Sequence, residues 1–260
     1  MQPEHAQRAT WARRLTQVRG FATWLSAVDP RTQIPPRHLI SGRRQRRKPH
    51  IFTDREVGQL LAEAARLRSS NGLRALTYTT LIGLLASTGL RPGEALALDL
   101  RDVDLQNGVL AIRETNFGKS RFVPVDPTTC AALQRYVKKR NRLYRQSETE
   151  AFLVSEYGTR LQGGAARRTF AKLSSAVGLR PKGEKCVGRG PRLQDLRHSF
   201  ATRKLLEWYR SGVDVQRALP TLATYLGHVA VDHTYWYLEG VPELLQLATE
   251  YVGIQSGGER

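Results

Sequence analysis

The chain has 260 residues, of which 40% are hydrophobic and 25% charged, so it can bury a substantial core and is neither wholly disordered nor fibrous. Its 41 lysine and arginine residues against 23 aspartate and glutamate residues give a formal charge of +18, which favours a polyanionic partner. No apolar run is long enough to span a membrane and no signal peptide opens the sequence, so we expect a cytoplasmic protein that binds nucleic acid and not membrane.

The amino-terminal part of the sequence predicts one helix followed by a basic linker. Apolar residues recur at three- and four-residue steps over 8–24, the spacing of an amphipathic helix. The segment 29–49 is rich in proline and basic residues, a composition typical of an extended linker, with a solvated tail as the alternative. We expect its basic cluster to contact the phosphates of a nucleic acid through Arg43, Arg44, Arg46, Arg47 and Lys48.

The main domain is predicted to begin near Thr53, whose hydroxyl can cap a helix while Glu56 completes a capping box. A second helix over 73–87 should end at Gly89, because glycine takes the left-handed conformation without steric cost. Pro92 then suits the first position of a further helix. The start of this domain is therefore predicted to be helical.

Short β-rich pieces follow this helical start. Strands are predicted over 109–113 and 121–125, because β-prone residues there are bounded by turn residues. Helical patterns return over 128–143, 165–177, 193–209, 213–226 and 242–252. The sequence therefore predicts a mainly α fold with a small antiparallel β-sheet.

The cysteine and histidine residues give no sign of a metal site. Cys130 and Cys186 are too few and too far apart for a disulfide framework or a thiolate zinc site. The six histidine residues show no H-E-x-x-H spacing. We therefore expect chemistry that uses no metal and no cofactor.

Three separated motifs carry side chains suited to phosphate chemistry. They are T-G-L-R-P-G-E at 88–94, L-Q-D-L-R-H-S-F-A-T at 193–202, and L-G-H at 226–228 followed by T-Y-W-Y-L at 234–238. Breaking a phosphodiester without metal needs a nucleophile, cations for the non-bridging oxygens and an acid for the leaving 5′ oxygen. Arginine suits the cationic role because its guanidinium is a planar, permanently charged fork of donors.

These motifs, in this order, make the chain resemble the tyrosine recombinase, or phage integrase, family over about residues 53–252, and in particular its Xer-like site-specific recombinases. The resemblance implies a tyrosine recombinase catalytic domain over 53–260, preceded by an interdomain linker over 29–52. Residues 1–28 would be a remnant of the helical core-binding domain that members carry at their amino terminus, so the chain looks N-terminally shortened. Double-stranded DNA would be the substrate, and a tetramer on two DNA sites the assembly. Helix 242–252 would be lent to a neighbouring subunit, with an ordinary helix packed on its own core as the alternative.

The resemblance also implies roles for individual residues. Arg91 and Arg197 would hold the attacked phosphate and His228 would hydrogen-bond to it. Tyr237, nine residues after His228, would be the nucleophile in preference to Tyr235. Without the resemblance, a salt bridge would explain each arginine equally well, and a core position at a helix end would explain the histidine.

Two positions depart from the family pattern. Gln194 stands where members usually carry histidine, and glutamine donates hydrogen bonds but cannot transfer protons. Asn116 stands at the register of the turn lysine that would protonate the leaving oxygen, so Lys119 is predicted to replace it, with a solvated turn lysine as the alternative. Arg121, just after the turn, is predicted to contact DNA.

Two hypotheses about function follow. The first is an active site-specific recombinase that serves integration, excision or transposition of a mobile element. The second is a DNA-binding protein of the same fold whose chemistry is slow or lost, which Gln194 and Asn116 would favour. An RNA-binding protein is a third hypothesis, although no aromatic-rich strand of the kind that stacks on RNA bases is evident.

Overall fold

The computed structural model describes residues 3–37, 39–40, 48–113, 120–144, 149–180 and 190–227. The chain divides into two compact units, Met1–Lys48 and Pro49–Arg260. In the first unit, helix α1 spans Pro3–Ser26, so it begins earlier than the apolar spacing predicted. Four of the apolar residues that recur along this helix are each more than half exposed: Trp11, Val18, Phe21 and Trp24.

The second unit is mainly helical in the part that the structure describes. Its helices are α2 (Asp54–Ala65), α3 (Leu73–Thr88), α4 (Pro92–Ala97), α5 (Pro127–Leu143), α6 (Gly163–Ala176), α7 (Leu193–Arg210) and α8 (Val215–Leu226). A three-stranded antiparallel sheet consists, in spatial order, of β1 (Val103–Asp104), β2 (Val109–Ile112) and β3 (Arg121–Pro124). The predicted mainly α fold with a small antiparallel sheet is confirmed.

Local capping chemistry sets the start of the second unit as predicted. The Thr53 hydroxyl accepts the backbone N–H of Glu56 at 3.2 Å, and the Glu56 carboxylate accepts the backbone N–H of Thr53 at 2.8 Å. Helix α3 ends at Gly89, which has a φ of 63°. Gly89 also lies against the ring of Phe200, where an added Cβ would come within 2.4 Å of Cδ1. The absence of a side chain therefore lets the end of α3 approach α7 closely.

The sheet shows the alternating burial of a layer with one covered face. Strands β2 and β3 pair with Leu110 opposite Val123, and both side chains are fully buried, whereas Phe122 on the other face is exposed. Strand β1 was not predicted, nor were the isolated bridges Asp99↔Ala151 and Val154↔Arg160. Pairs this short leave no alternating pattern in the sequence, so periodicity cannot reveal them.

Two apolar clusters divide the core of the second unit. The larger cluster is contributed by α2 to α7 together with the sheet. The smaller joins the later part of α7 to α8 through Ala201, Leu205, Val215, Leu219, Leu222 and Leu226. Because α8 packs on α7 in this way, its C-terminal end comes to lie near β3 and the end of α3.

The remaining boundaries differ from the prediction by one or two residues. Helix α8 begins at Val215 because the Asp214 side chain accepts the backbone N–H of Arg217 at 3.2 Å and so caps it. The turn at 114–119 and the helix predicted over 242–252 lie outside the described residues. Within the described ranges, no helix is both long enough and apolar enough to cross a membrane.

Candidate active site

Arg91 stands directly before α4, in the short connection from α3. Its Nη2 donates to the carbonyl of Gly227 at 2.8 Å, and its Nη1 donates to Oε1 of Glu94 at 2.8 Å. The side chain is 32% exposed. The guanidinium is therefore held in place by two acceptors while part of it still faces solvent.

Arg197 lies in the first half of α7 and is only 1% exposed. Its Nη1 donates to the carbonyl of Gly89 at 3.0 Å and its Nη2 donates to the carbonyl of Leu226 at 2.6 Å. Since Gly89 ends α3 and Leu226 ends α8, this one side chain ties three helices together. Hydrogen bonds from a charged donor to buried carbonyls are among the stronger ones in proteins.

The C-terminal end of α8 is the point at which the two arginines meet. Leu226 and Gly227 are consecutive, and their carbonyls accept from Arg197 and Arg91, respectively. The exposed carbonyls at a helix C-terminus carry partial negative charge and attract cations. Gly227 has a φ of 67° and ends the helix in the left-handed conformation, directly before His228. The structure thus brings arginines from two separated motifs to one helix end.

Glu94 is a site residue that the sequence analysis missed. Its carboxylate is 7% exposed, and it accepts from the backbone N–H of Arg91 at 2.9 Å as well as from the Arg91 guanidinium. Both terminal nitrogens of Arg121 also donate to it, Nη1 to Oε1 at 3.1 Å and Nη2 to Oε2 at 2.9 Å. The Arg-x-x-Glu spacing, with the glutamate at the third helical position after Arg91, was the available signal.

The charge state of Glu94 follows from these partners. Burial by itself raises the pKa of the Glu94 carboxyl, but the hydrogen bonds and charge of Arg121 and the hydrogen bonds from Arg91 outweigh it. The pKa of Glu94 therefore lies below its usual range and the group is ionised at neutral pH. Among the described residues, the Glu94 carboxylate pairs with both Arg91 and Arg121, so these two guanidiniums carry more positive charge than Glu94 balances, which suits a bound anion.

Arg121, predicted as a DNA contact, lies at the start of β3 and is 12% exposed. Its Nε donates to the carbonyl of Tyr225 at 2.8 Å, so a third guanidinium reaches the end of α8. All three of its nitrogens thus donate within the domain. The structure gives Arg121 a role in holding Glu94 and α8, and its contact with DNA stays a prediction.

Tyr225 is a tyrosine that lies near these arginines in the described part of the chain. Burial raises the pKa of Tyr225 to about 12, although the charges of Arg121 and Arg197 oppose that rise. Its ring stacks on Phe200 with centroids 5.7 Å apart. This partly buried phenol therefore forms its phenolate less readily than an ordinary tyrosine, and its ring serves packing.

Of the other predicted site residues, Gln194 and Lys48 lie in the described part of the chain. Gln194 lies in the first turn of α7, half-buried and three residues before Arg197, so the two side chains share a helix face. Lys48 is exposed. Outside the described residues lie Arg43, Arg44, Arg46, Arg47, Lys119, His228 and Tyr237, together with Asn116 and Tyr235. In the described part of the chain, no group of three or more histidine, cysteine, aspartate or glutamate side chains could hold a metal ion.

Comparison with known proteins finds relatives over most of the chain. A family model described as the phage integrase family matches residues 50–242. The protein named "Putative integrase/recombinase y4rB" of Sinorhizobium fredii (strain NBRC 101917 / NGR234) is 45% identical over 250 residues, covering 95% of this chain and 79% of y4rB. Tyrosine recombinase XerD of Mycobacterium tuberculosis (strain ATCC 25618 / H37Rv) is 33% identical over 228 residues, covering 87% of this chain and 68% of XerD.

Solved structures show the same fold. The crystal structure of XerA recombinase matches with a TM-score of 0.59 at 25% identity, covering 77% of this chain and 64% of XerA, a little under two thirds of its length. The Tn1549 transposon integrase in complex with circular intermediate DNA matches with a TM-score of 0.59 at 16% identity, over 97% of this chain and 87% of that one, which shows the fold alone. The chain therefore belongs to the phage integrase family of tyrosine recombinases, which cleave and rejoin DNA through a phosphotyrosine intermediate, as its motifs implied.

Proposed function

We propose that this chain is a site-specific recombinase that cleaves and rejoins double-stranded DNA through a transient bond between Tyr237 and a 3′ phosphate. The observation that carries the proposal is the meeting of Arg91 and Arg197 at the carbonyls of Gly227 and Leu226. Two fixed guanidiniums at one place are what a phosphate needs as negative charge develops on its non-bridging oxygens. The names of the relatives, integrase/recombinase y4rB and tyrosine recombinase XerD, support the same activity.

The reaction balances without a cofactor. The phenolic oxygen of Tyr237 attacks phosphorus and forms an O–P bond while the bond from phosphorus to the 5′ oxygen breaks. The phenolic proton passes to solvent or a neighbouring base, and the leaving 5′ oxygen takes a proton from Lys119. Attack by a 5′ hydroxyl on the phosphotyrosine reverses both changes, so the strand is resealed without ATP.

The remaining predicted residues act on the same phosphate. His228 and Gln194 donate hydrogen bonds to its oxygens, which glutamine can do although it cannot carry a proton. Arg197 is 1% exposed, so bound phosphate has to displace part of the protein that covers its guanidinium. Arg91, at 32% exposed, is reachable from solvent without such a change.

Each segment of the chain has a proposed part in binding or cleaving the DNA. Residues 53–260 form the catalytic domain, 29–52 the linker whose Arg43, Arg44, Arg46, Arg47 and Lys48 contact phosphates, and 1–28 a helix of a core-binding domain. A tetramer on two DNA sites, acting in the cytoplasm, is the proposed assembly. The related XerH was solved on a palindromic difH substrate, a symmetry that suits paired subunits.

The test is covalent capture of the protein on DNA. Purified protein is incubated with a nicked substrate from the DNA that flanks its gene, and covalent adducts are separated on a denaturing gel. We expect the protein to form an adduct that Tyr237→Phe abolishes with DNA affinity nearly unchanged, and that Tyr235→Phe retains. An adduct that survives in Tyr237→Phe and disappears in Tyr235→Phe would reassign the nucleophile.

The alternative of a DNA-binding protein with lost chemistry is the second outcome of this test. It is favoured if the protein binds the substrate but forms no adduct, while a related recombinase cleaves that substrate. The variant Gln194→His then shows whether the departure at this position is the cause, because histidine restores a group that can transfer protons. Recovery of the adduct in that variant would assign the loss to Gln194.

A further inference from the structure

We propose that Arg121 is a positioning residue, which through Glu94 and the end of α8 fixes the guanidinium of Arg91 for the attacked phosphate and does not itself contact DNA. The proposal rests on the proposed function, since it concerns the residue that holds one of the two phosphate-binding arginines. It changes the role first predicted for Arg121 from the sequence.

The contact between Arg121 and Glu94 is bidentate. Nη1 meets Oε1 at 3.1 Å and Nη2 meets Oε2 at 2.9 Å, while the two side chains are only 12% and 7% exposed. Two parallel bonds between planar groups fix the orientation of both, which a single bond does not. Arg121 therefore determines the plane in which the Glu94 carboxylate lies.

That plane in turn determines where Arg91 is held. Oε1 of Glu94 accepts from Nη1 of Arg91 at 2.8 Å, and Oε2 accepts from the backbone N–H of Arg91 at 2.9 Å. The same carboxylate therefore holds both the main chain and the side chain of Arg91. Without Arg121, the carboxylate keeps only its two bonds to Arg91, the group that it has to position, and its terminal torsion has only a broad preference of its own.

The end of α8 supplies the second connection between the two arginines. The guanidinium of Arg121 lies against Gly227, where an added Cβ would come within 2.7 Å of Nη1, and its Nε holds the carbonyl of Tyr225 at 2.8 Å. The carbonyl of Gly227 accepts from Arg91 at 2.8 Å. Loss of Arg121 therefore loosens both acceptors of the Arg91 guanidinium.

Burial and charge separate this role from a DNA contact. The charge of Arg121 is matched within the domain by the bidentate carboxylate, and each of its nitrogens already donates to a protein acceptor. An arginine that contacts DNA phosphate contributes about 0.9 to the slope of log affinity against log salt concentration. A positioning residue contributes nothing to that slope, so the two roles give different measurements.

The experiment compares Arg121→Gln with Arg113→Gln in the full chain. Arg113 follows β2 and pairs with Asp102 through Nε at 2.6 Å, so its loss removes the same charge and an ion pair from the same sheet without touching Glu94. Single-turnover cleavage is measured on two substrates, one with an ordinary phosphodiester at the mapped cleavage position and one with an uncharged methylphosphonate there. DNA affinity is measured across a range of salt concentrations.

We expect Arg121→Gln to slow cleavage of the phosphodiester by roughly 100-fold, because a misplaced Arg91 amounts to the loss of one fixed donor to a transition-state oxygen. The methylphosphonate should be affected much less, because its single non-bridging oxygen makes less use of a guanidinium. Affinity and salt slope should stay as in the unaltered protein, and Arg113→Gln should match that protein throughout. Arg121→Lys should recover part of the rate, since an amine reaches Glu94 but cannot bind it in bidentate fashion.

Three results would overturn the proposal. A salt slope lowered by about 0.9 in Arg121→Gln would make Arg121 a DNA contact. Equal slowing on both substrates, with a lowered Tm, would make its role one of general stability, and Arg121→Lys decides the same question if Arg121→Gln does not fold. Unaltered cleavage would leave Arg121 without a role in the reaction. If the unaltered protein itself forms no adduct, the proposed function fails and the positioning role fails with it. The three results above overturn the positioning role alone, because each requires an unaltered protein that cleaves DNA.

Discussion

At the scale of single residues, the ionisation of Glu94 matters to the site because its carboxylate holds two arginines. It is a buried carboxylate that four hydrogen bonds from Arg91 and Arg121 keep charged. Removing one partner of a buried ion pair generally costs more than the pair contributes, because an uncompensated charge is left behind. Protonation of Glu94 would leave two guanidiniums facing a neutral acid.

The unfolding free energy of the protein should therefore depend on Glu94 at acid pH. Because the pKa of Glu94 is lowered in the folded state, its contribution to stability is fully present above the usual carboxyl value of 4.5 and is lost as pH falls through the folded pKa. The unfolding free energy, measured with denaturant from pH 7 to pH 3, should fall more steeply as the pH falls in the unaltered protein than in Glu94→Gln. Parallel curves would show that Glu94 gains no charge stabilisation on folding.

At the scale of secondary-structure elements, the close approach of α3 and α7 sets the spacing between the motifs. Gly89 is the contact point: its carbonyl accepts from Arg197, and the ring of Phe200 fills the space that a side chain would occupy. Its φ of 63° adds a second requirement for glycine. The junction of these two helices therefore depends on one residue without a side chain.

Substitution of Gly89 by alanine should destabilise the protein markedly. The left-handed conformation costs a non-glycine residue about 1 kcal/mol, and displacement of Phe200 adds about 1–3 kcal/mol, the usual cost of overpacking a core. Gly58 in α2 is the matched control, because an added Cβ there meets nothing within 4 Å and alanine favours a helix interior. Thermal unfolding should show a large fall in Tm for Gly89→Ala and a small rise for Gly58→Ala, and equal Tm values would contradict this account.

The same elements show how far the sequence could predict the structure. The ends at Thr53, Gly89 and Pro92 were predicted because capping chemistry lies within a few residues of each end. The pairing of Glu94 with Arg121 could not be predicted, since it depends on how β3 packs against α4 and α8. The arginines proposed as catalytic could be named only through the family motifs, because spacing alone does not bring Arg91 to Arg197.

At the scale of the whole molecule, the formal charge of +18 is the property that governs association with DNA. Counterions released from DNA make the affinity of such a protein fall steeply with salt, by about 10³ to 10⁵ between 50 and 200 mM for 6–10 phosphate contacts. The linker's contribution to this salt dependence shows whether the linker contacts DNA phosphates or is a solvated tail.

Replacement of four linker arginines by glutamine should measure that share. If Arg43, Arg44, Arg46 and Arg47 each bind a phosphate, the slope of log affinity against log salt falls by about 0.9 for every phosphate that the variant no longer neutralises. Fluorescence anisotropy with labelled duplex DNA gives the slope directly, and unfolding curves check that the folded domain is intact. An unchanged slope would favour the solvated tail.

The end of α8 has a further consequence, because the acceptors there are main-chain carbonyls of Tyr225, Leu226 and Gly227. A point substitution replaces side chains and leaves carbonyls in place. A mutational scan would therefore find sensitivity at the three donor arginines without showing that they share one helix end. Covariation among sequences would miss the connection too, because the acceptors are backbone carbonyls, which every residue carries. Replacing the peptide bond after Leu226 by an ester, whose carbonyl is a weaker acceptor, is the kind of backbone chemistry that would expose the coupling.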